Sequence, residues 1–142
     1  MKKNRFSLIR MLLLSLAILV FVVSCNTGGA LDIMFTNASV DEAYTLIQNN
    51  KSNPDFVIFD VRTPSEYASG HIENAVNLDY YDDAFEETLD TYDRNKTYLI
   101  YCRTGNRSAA AMKIMKNLGF TNVYNMQGGI NVWISAGYPV VS

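Results

Sequence analysis

The chain has 142 residues carrying 12 Lys and Arg, 14 Asp and Glu and a single histidine, for a net charge of −2. Four of the basic residues and none of the acidic ones fall in residues 1–24, so the remaining 118 residues carry net −6; that length suits one domain with a real core and is cramped for two. The acidic balance excludes a strongly basic nucleic-acid binder, and two cysteines are too few for a disulfide framework or a four-cysteine zinc site.

Lys2, Lys3, Arg5 and Arg10 precede a run from Met11 to Val23 that is apolar except at Ser15, the charged and then apolar order of a secretory signal. The run is short for a spanning helix, which needs about 20 apolar residues. Val22-Val23-Ser24-Cys25 resembles the lipobox of bacterial lipoproteins, in which a small residue precedes the cysteine that is lipidated and becomes the new N-terminus. The resemblance implies a signal peptide over 1–24, a lipidated Cys25 with a short tether over 25–32, and a domain over 33–142. That domain is expected outside the cytoplasm, on the periplasmic or cell-surface side of a membrane. An uncleaved anchor and an ordinary signal with an incidental cysteine are the competing readings. If Cys25 carries lipid, Cys102 is the lone thiol of the domain and no intramolecular disulfide forms.

Along the domain, Ser39 with Glu42 three residues on forms a capping box and predicts a helix over Val40 to Gln48, with Val40, Ala43, Tyr44 and Ile47 on one face. Phe56 to Phe59, Tyr98 to Tyr101 and Asn122 to Met126 are β-prone runs, with Ala75 to Leu78 weaker. Such continuous apolar runs fit strands covered on both faces. The acidic stretch Asp79 to Asp93 reads as a solvated helix face, with selection of a basic protein partner as the sharper possibility. Arg107 to Leu118 spaces Ala111, Ile114, Met115 and Leu118 as one helical face and stops at Gly119; a shorter helix is expected over Ile130 to Ala136, ending at Gly137. Alternating strands and helices predict an α/β fold with a largely parallel sheet, whose ligands collect at the C-terminal ends of the strands.

The loop at such an end reads Cys102-Arg103-Thr104-Gly105-Asn106-Arg107-Ser108. A helix N-terminus offers free N–H groups and a favourable dipole to a negative charge, and Arg103 and Arg107 add permanent positive charge, surroundings that lower a cysteine pKa. Gly105 permits the tight curl that turns several N–H groups inward into an anion nest. The pattern predicts a thiolate nucleophile facing an anionic ligand; a buried structural cysteine followed by an ordinary polar loop is the competing reading. Asp60 and Arg62 are expected to brace neighbouring loops through buried ion pairs, or else to touch substrate. His71 reads as a hydrogen-bonded structural histidine, and Trp133 and Tyr138 as core rather than pocket mouth.

Asp60-Val61-Arg62, Glu66-Tyr67, Gly70-His71-Ile72, Ala75 and Asn77, the Cys102 to Arg107 loop, and Gly128-Gly129-Ile130 followed by Trp133 together resemble the single-domain rhodanese family over about residues 34 to 140. The resemblance implies a rhodanese-like α/β fold with a central, mostly parallel five-stranded sheet. It also implies a sulfurtransferase in which Cys102 carries a sulfane sulfur as a persulfide, cradled by Arg103, Thr104, Gly105, Asn106 and Arg107. The expected donor is a small anion such as thiosulfate, and the acceptor is cyanide in the laboratory or a thiol in the cell. No metal, organic cofactor or nucleic acid is implied, and a monomer is expected. The related dual-specificity phosphatases carry one more residue between Cys and Arg, which makes a phosphatase the lesser reading. The same thiol would also serve extracytoplasmic redox exchange with a thioredoxin-like partner, and the same fold would also serve as a non-catalytic interaction module.

Overall fold

The computed structural model describes residues 33–142. The expected signal peptide, Cys25 and the tether through residue 32 lie outside the described residues. Five short strands, β1 (Met34–Ala38), β2 (Phe56–Asp60), β3 (Val76–Asn77), β4 (Thr97–Tyr101) and β5 (Asn122–Met126), form one sheet. Its order is β1-β5-β4-β2-β3, and every neighbouring pair is parallel. Three of the apolar runs become β2, β4 and β5, as predicted, while the weaker run at Ala75 to Leu78 shrinks to two residues.

β1 is the strand that no apolar run announces. It lies at the sheet's edge and only Ala38 is buried, so Met-Phe-Thr-Asn-Ala needs no continuous hydrophobic character to belong there. β4, at the centre, buries Tyr98, Leu99, Ile100 and Tyr101. Side chains alternate across a strand, and the two faces diverge accordingly. Tyr98 and Ile100 pack with Ala111, Met115, Phe85 and Leu89, whereas Leu99 and Tyr101 pack with Val40, Ala43, Ile130 and Trp133. Each fully buried side chain of this kind stabilises the fold by roughly 1.5–3 kcal/mol.

Helix α1 (Val40–Asn49) is capped as its sequence predicts: the Glu42 N–H donates to the Ser39 hydroxyl at 3.2 Å and the Ser39 N–H donates to the Glu42 carboxylate at 2.8 Å. A second box opens α2 (Pro64–Ala68), where Thr63 and Glu66 repeat the arrangement and proline occupies the first turn. This helix has five residues, none of them buried, and therefore carries no apolar periodicity. Within the acidic stretch, α3 (Phe85–Asp90) turns Phe85 and Leu89 inward and leaves Glu86, Glu87 and Asp90 exposed, the solvated face expected of it. Helices α4 (Asn106–Asn117) and α5 (Gly129–Ser135) follow β4 and β5, burying Ala111 and Met115 on one and Ile130 and Trp133 on the other.

This layout positions the loops that matter. Because all strands run the same way, β2, β4 and β5 deliver Asp60 to Arg62, Cys102 to Arg107 and Gln127 to Gly129 to one edge of the sheet. Cys102 continues the alternation of Tyr98 and Ile100 and joins their cluster on the α4 face, where that helix begins.

Candidate active site

Cys102 is only 1% exposed, yet its sulfur is surrounded by donors. The Gly105 N–H donates to Sγ at 3.1 Å and the Ser108 hydroxyl at 3.5 Å. Burial pushes the thiol up, but the Ser108 hydroxyl and the N–H groups of Ser108, Thr104 and Gly105 outweigh it and hold the thiol below its ordinary value. The loop can wrap the sulfur this closely because Gly105 adopts φ +102°, in the left-handed region, and a side chain there would meet the Gly128 nitrogen at 3.3 Å.

In the sequence, the stabilisation of negative charge falls to the arginines, the helix N-terminus and the nest of N–H groups that Gly105 permits. The structure brings the N–H groups to the sulfur and adds Ser108, a role that the sequence pattern did not single out. The signal for it is a hydroxyl in the first turn of a helix that faces a cysteine. Ser108→Ala is expected to raise the Cys102 thiol pKa by about one to two units, since a hydrogen bond to a charged group contributes roughly 1.5–3 kcal/mol. The pH at which Cys102 reacts half-maximally with iodoacetamide measures the shift.

Arg107 is engaged elsewhere. Its Nη1 and Nη2 donate to the two carboxylate oxygens of Glu66, both at 2.8 Å. The same carboxylate accepts the N–H and hydroxyl of Thr63, each at 3.1 Å. The Arg107 guanidinium, opposed by desolvation and helped by Thr63, holds Glu66 at about 2, while the paired Glu66 pushes Arg107 upward. Tyr81, 66% exposed, places its ring centroid 5.5 Å from the Arg107 guanidinium carbon. Arg103 is exposed and enters no salt bridge among the described residues; Thr104 and Asn106 are exposed on the same loop.

Asp60 and Arg62 are buried at 0% and 4% exposure and pair with each other, with Arg62 Nη2 donating to an Asp60 oxygen at 2.6 Å and to the Gly70 carbonyl at 2.7 Å. Asn77 donates to the carbonyls of Asp60 and Arg62 at 3.0 and 2.8 Å. These bonds tie the end of β2 to the segment leading into β3, and none of them reaches the cysteine loop. His71 stacks on Tyr67 with ring centroids 3.7 Å apart and sets Nδ1 3.1 Å from the Tyr67 carbonyl, a packed and bonded position. Trp133 lies in the core, donating to the Pro139 carbonyl at 2.9 Å, and Tyr138 stacks on Tyr44.

The opposite wall of the cysteine loop comes from α5. The Ile130 N–H donates to the Cys102 carbonyl at 2.9 Å and the Asn131 N–H to the Arg103 carbonyl at 3.2 Å. A groove of about 470 Å³ lies beside β1 and α1, lined by residues including Thr36, Asp41, Leu46 and Tyr124, and none of its lining residues belongs to the cysteine loop. Among the described residues no three His, Cys, Asp or Glu side chains converge as a metal site requires.

A buried thiol held by N–H groups and a hydroxyl stands at the end of a central parallel strand and the mouth of a helix, the arrangement of an anion-binding cysteine loop. The rhodanese-like domain family matches residues 39–136, and the chain belongs to that family. It is 31% identical over 101 residues to a sulfurtransferase of Allochromatium vinosum, covering 71% of this chain and 92% of that one. It is 33% identical over 98 residues to the thiosulfate:glutathione sulfurtransferase of Saccharomyces cerevisiae, covering 61% and 70%. Among solved structures, a rhodanese-related protein from Thermoplasma volcanium superimposes with a TM-score of 0.64 at 34% identity, covering 75% of this chain and 98% of the other.

Proposed function

We propose that this chain is a rhodanese-type sulfurtransferase that carries sulfane sulfur on Cys102. The observation behind the reading is the cradle itself: a sulfur that accepts from the Gly105 N–H and the Ser108 hydroxyl in the loop between β4 and α4. The thiolate attacks the outer sulfur of thiosulfate, the bond between the two donor sulfurs breaks, and sulfite leaves with the electron pair. Cys102 is left as a persulfide anion, whose terminal sulfur meets the same inward N–H groups. An acceptor thiolate then attacks that terminal sulfur, forming its own persulfide and restoring the Cys102 thiolate; cyanide in its place yields thiocyanate. The glutathione-using yeast relative supports a thiol acceptor. The exposed Arg103 on the loop supports an anionic donor. In the same reading Cys25 is lipidated and holds a monomeric domain on the extracytoplasmic side of a membrane.

Mass spectrometry of the full chain after thiosulfate tests the reading. The expected result is one added sulfur on the Cys102 peptide, its discharge by a thiol or cyanide, and its absence from Cys102→Ser. No added sulfur, or sulfur persisting in Cys102→Ser, overturns it. Trapping a mixed disulfide through Cys102 in place of a persulfide would reassign the site to thiol redox.

A further inference from the structure

The sequence presents Arg107 as a free positive charge aimed at an anion, yet both of its terminal nitrogens are held by Glu66 at 2.8 Å. Glu66 is itself fixed: it is the third residue of the α2 capping box, and Thr63 donates to it twice. The arginine emerges from the first turn of α4, next to Ser108, whose hydroxyl donates to the Cys102 sulfur at 3.5 Å. A bidentate Arg–carboxylate pair is rigid as well as neutral.

We propose that Glu66 is a positioning residue that braces Arg107 against the start of α4 and cancels its charge, so that backbone N–H groups and Ser108, rather than an arginine, set the electrostatics at Cys102. This rests on the reading of Cys102 as the reacting nucleophile and divides the labour between the two arginines. Arg107 becomes a strut between α2 and α4. Arg103, in no salt bridge among the described residues, is left to meet the anionic donor at the rim. The charged and titratable groups around the site are Arg103 on the loop, Arg107 on α4, Glu66 on α2, Tyr81 before α3 and the mutually paired Asp60 and Arg62 after β2.

The test is a double-substitution cycle on the full chain, reading the pH dependence of iodoacetamide labelling at the Cys102 peptide. Glu66→Gln keeps an oxygen for Arg107 and Thr63 while removing the charge, and it is expected to lower the thiol pKa by about one unit, because the Arg107 charge then acts unopposed beside the helix start that holds the sulfur. Arg107→Met strands the Glu66 carboxylate and is expected to raise the thiol pKa by a similar amount. The double variant is expected to return to the wild-type value within about 0.3 units. A thiol pKa in Glu66→Gln that is unchanged or raised overturns the proposal, as does a double variant that fails to return; should Arg107→Met not fold, Glu66→Gln alone decides. Labelling needs no sulfur donor, so absence of a Cys102 persulfide would refute the sulfurtransferase reading without touching this cycle.

Discussion

Gly129→Ala is expected to destabilise the domain by about 3 kcal/mol or more, lowering the melting temperature by roughly 10 °C, and to slow Cys102 labelling in the fraction that folds. Gly129 sits at φ +60°, and a β-carbon there would lie 2.4 Å from the Cys102 carbonyl oxygen and 2.6 Å from the carbonyl carbon and oxygen of Arg103. Every one of those atoms is backbone of the cysteine loop, so no side-chain rotation relieves the clash. The two elements are also bonded to each other, through the Ile130 and Asn131 N–H groups and the Cys102 and Arg103 carbonyls. Either α5 withdraws and loses both bonds, or the loop shifts and opens the cradle. Gly137→Ala is the matched control: it shares a left-handed backbone at φ +82° but meets nothing within 4 Å, and is expected to cost only the conformational part, about 1–2 kcal/mol. Thermal unfolding of both variants separates the steric effect from the backbone effect, and equal losses would refute the argument.

Arg62→Met is expected to cost about 3–5 kcal/mol, the range for removing one partner of a buried pair. Asp60 has no exposed surface and would retain its own backbone donor, Arg62 N–H at 3.0 Å, but lose the guanidinium. The Gly70 carbonyl would lose its donor as well. Adding Asp60→Asn to Arg62→Met is expected to recover part of the loss, because the stranded charge is removed. Sulfur loading per folded molecule is expected to stay within about threefold of wild type. A loss of loading without a loss of stability would instead make Arg62 a substrate contact. Denaturant unfolding together with persulfide mass spectrometry distinguishes the two.

Much of this molecule is legible in local pattern. The apolar runs became β2, β4 and β5, the Ser39 and Glu42 spacing became a capping box, and the amphipathic spacing of Ala111 and Met115 became the buried face of α4. What escaped was weakly hydrophobic, short or distant. β1 is an edge strand with one buried residue, and α2 is a single capped turn with none. The pairing of Arg107 with Glu66 spans 41 residues, and no local spacing encodes a partner that far away. The same gap explains why the arginine reads as a free charge in sequence and stands neutralised in the fold. The place of Cys102 in the fold was legible because its surroundings, a strand end, a glycine and a helix start, are contiguous in the chain.

The parallel direction of the strands separates the two ends of the domain. Met34 opens β1 in register with Asn122, and Asn122 in register with Thr97. Cys102, five residues beyond Thr97, therefore stands about 16 Å further along the strand direction at roughly 3.3 Å per residue. The sheet acts as a standoff: a domain held at the Met34 end of β1 carries its cysteine loop on the opposite rim of the sheet. For immobilised assays the Met34 end is the one to couple, since attachment at the opposite rim would cover the cysteine loop.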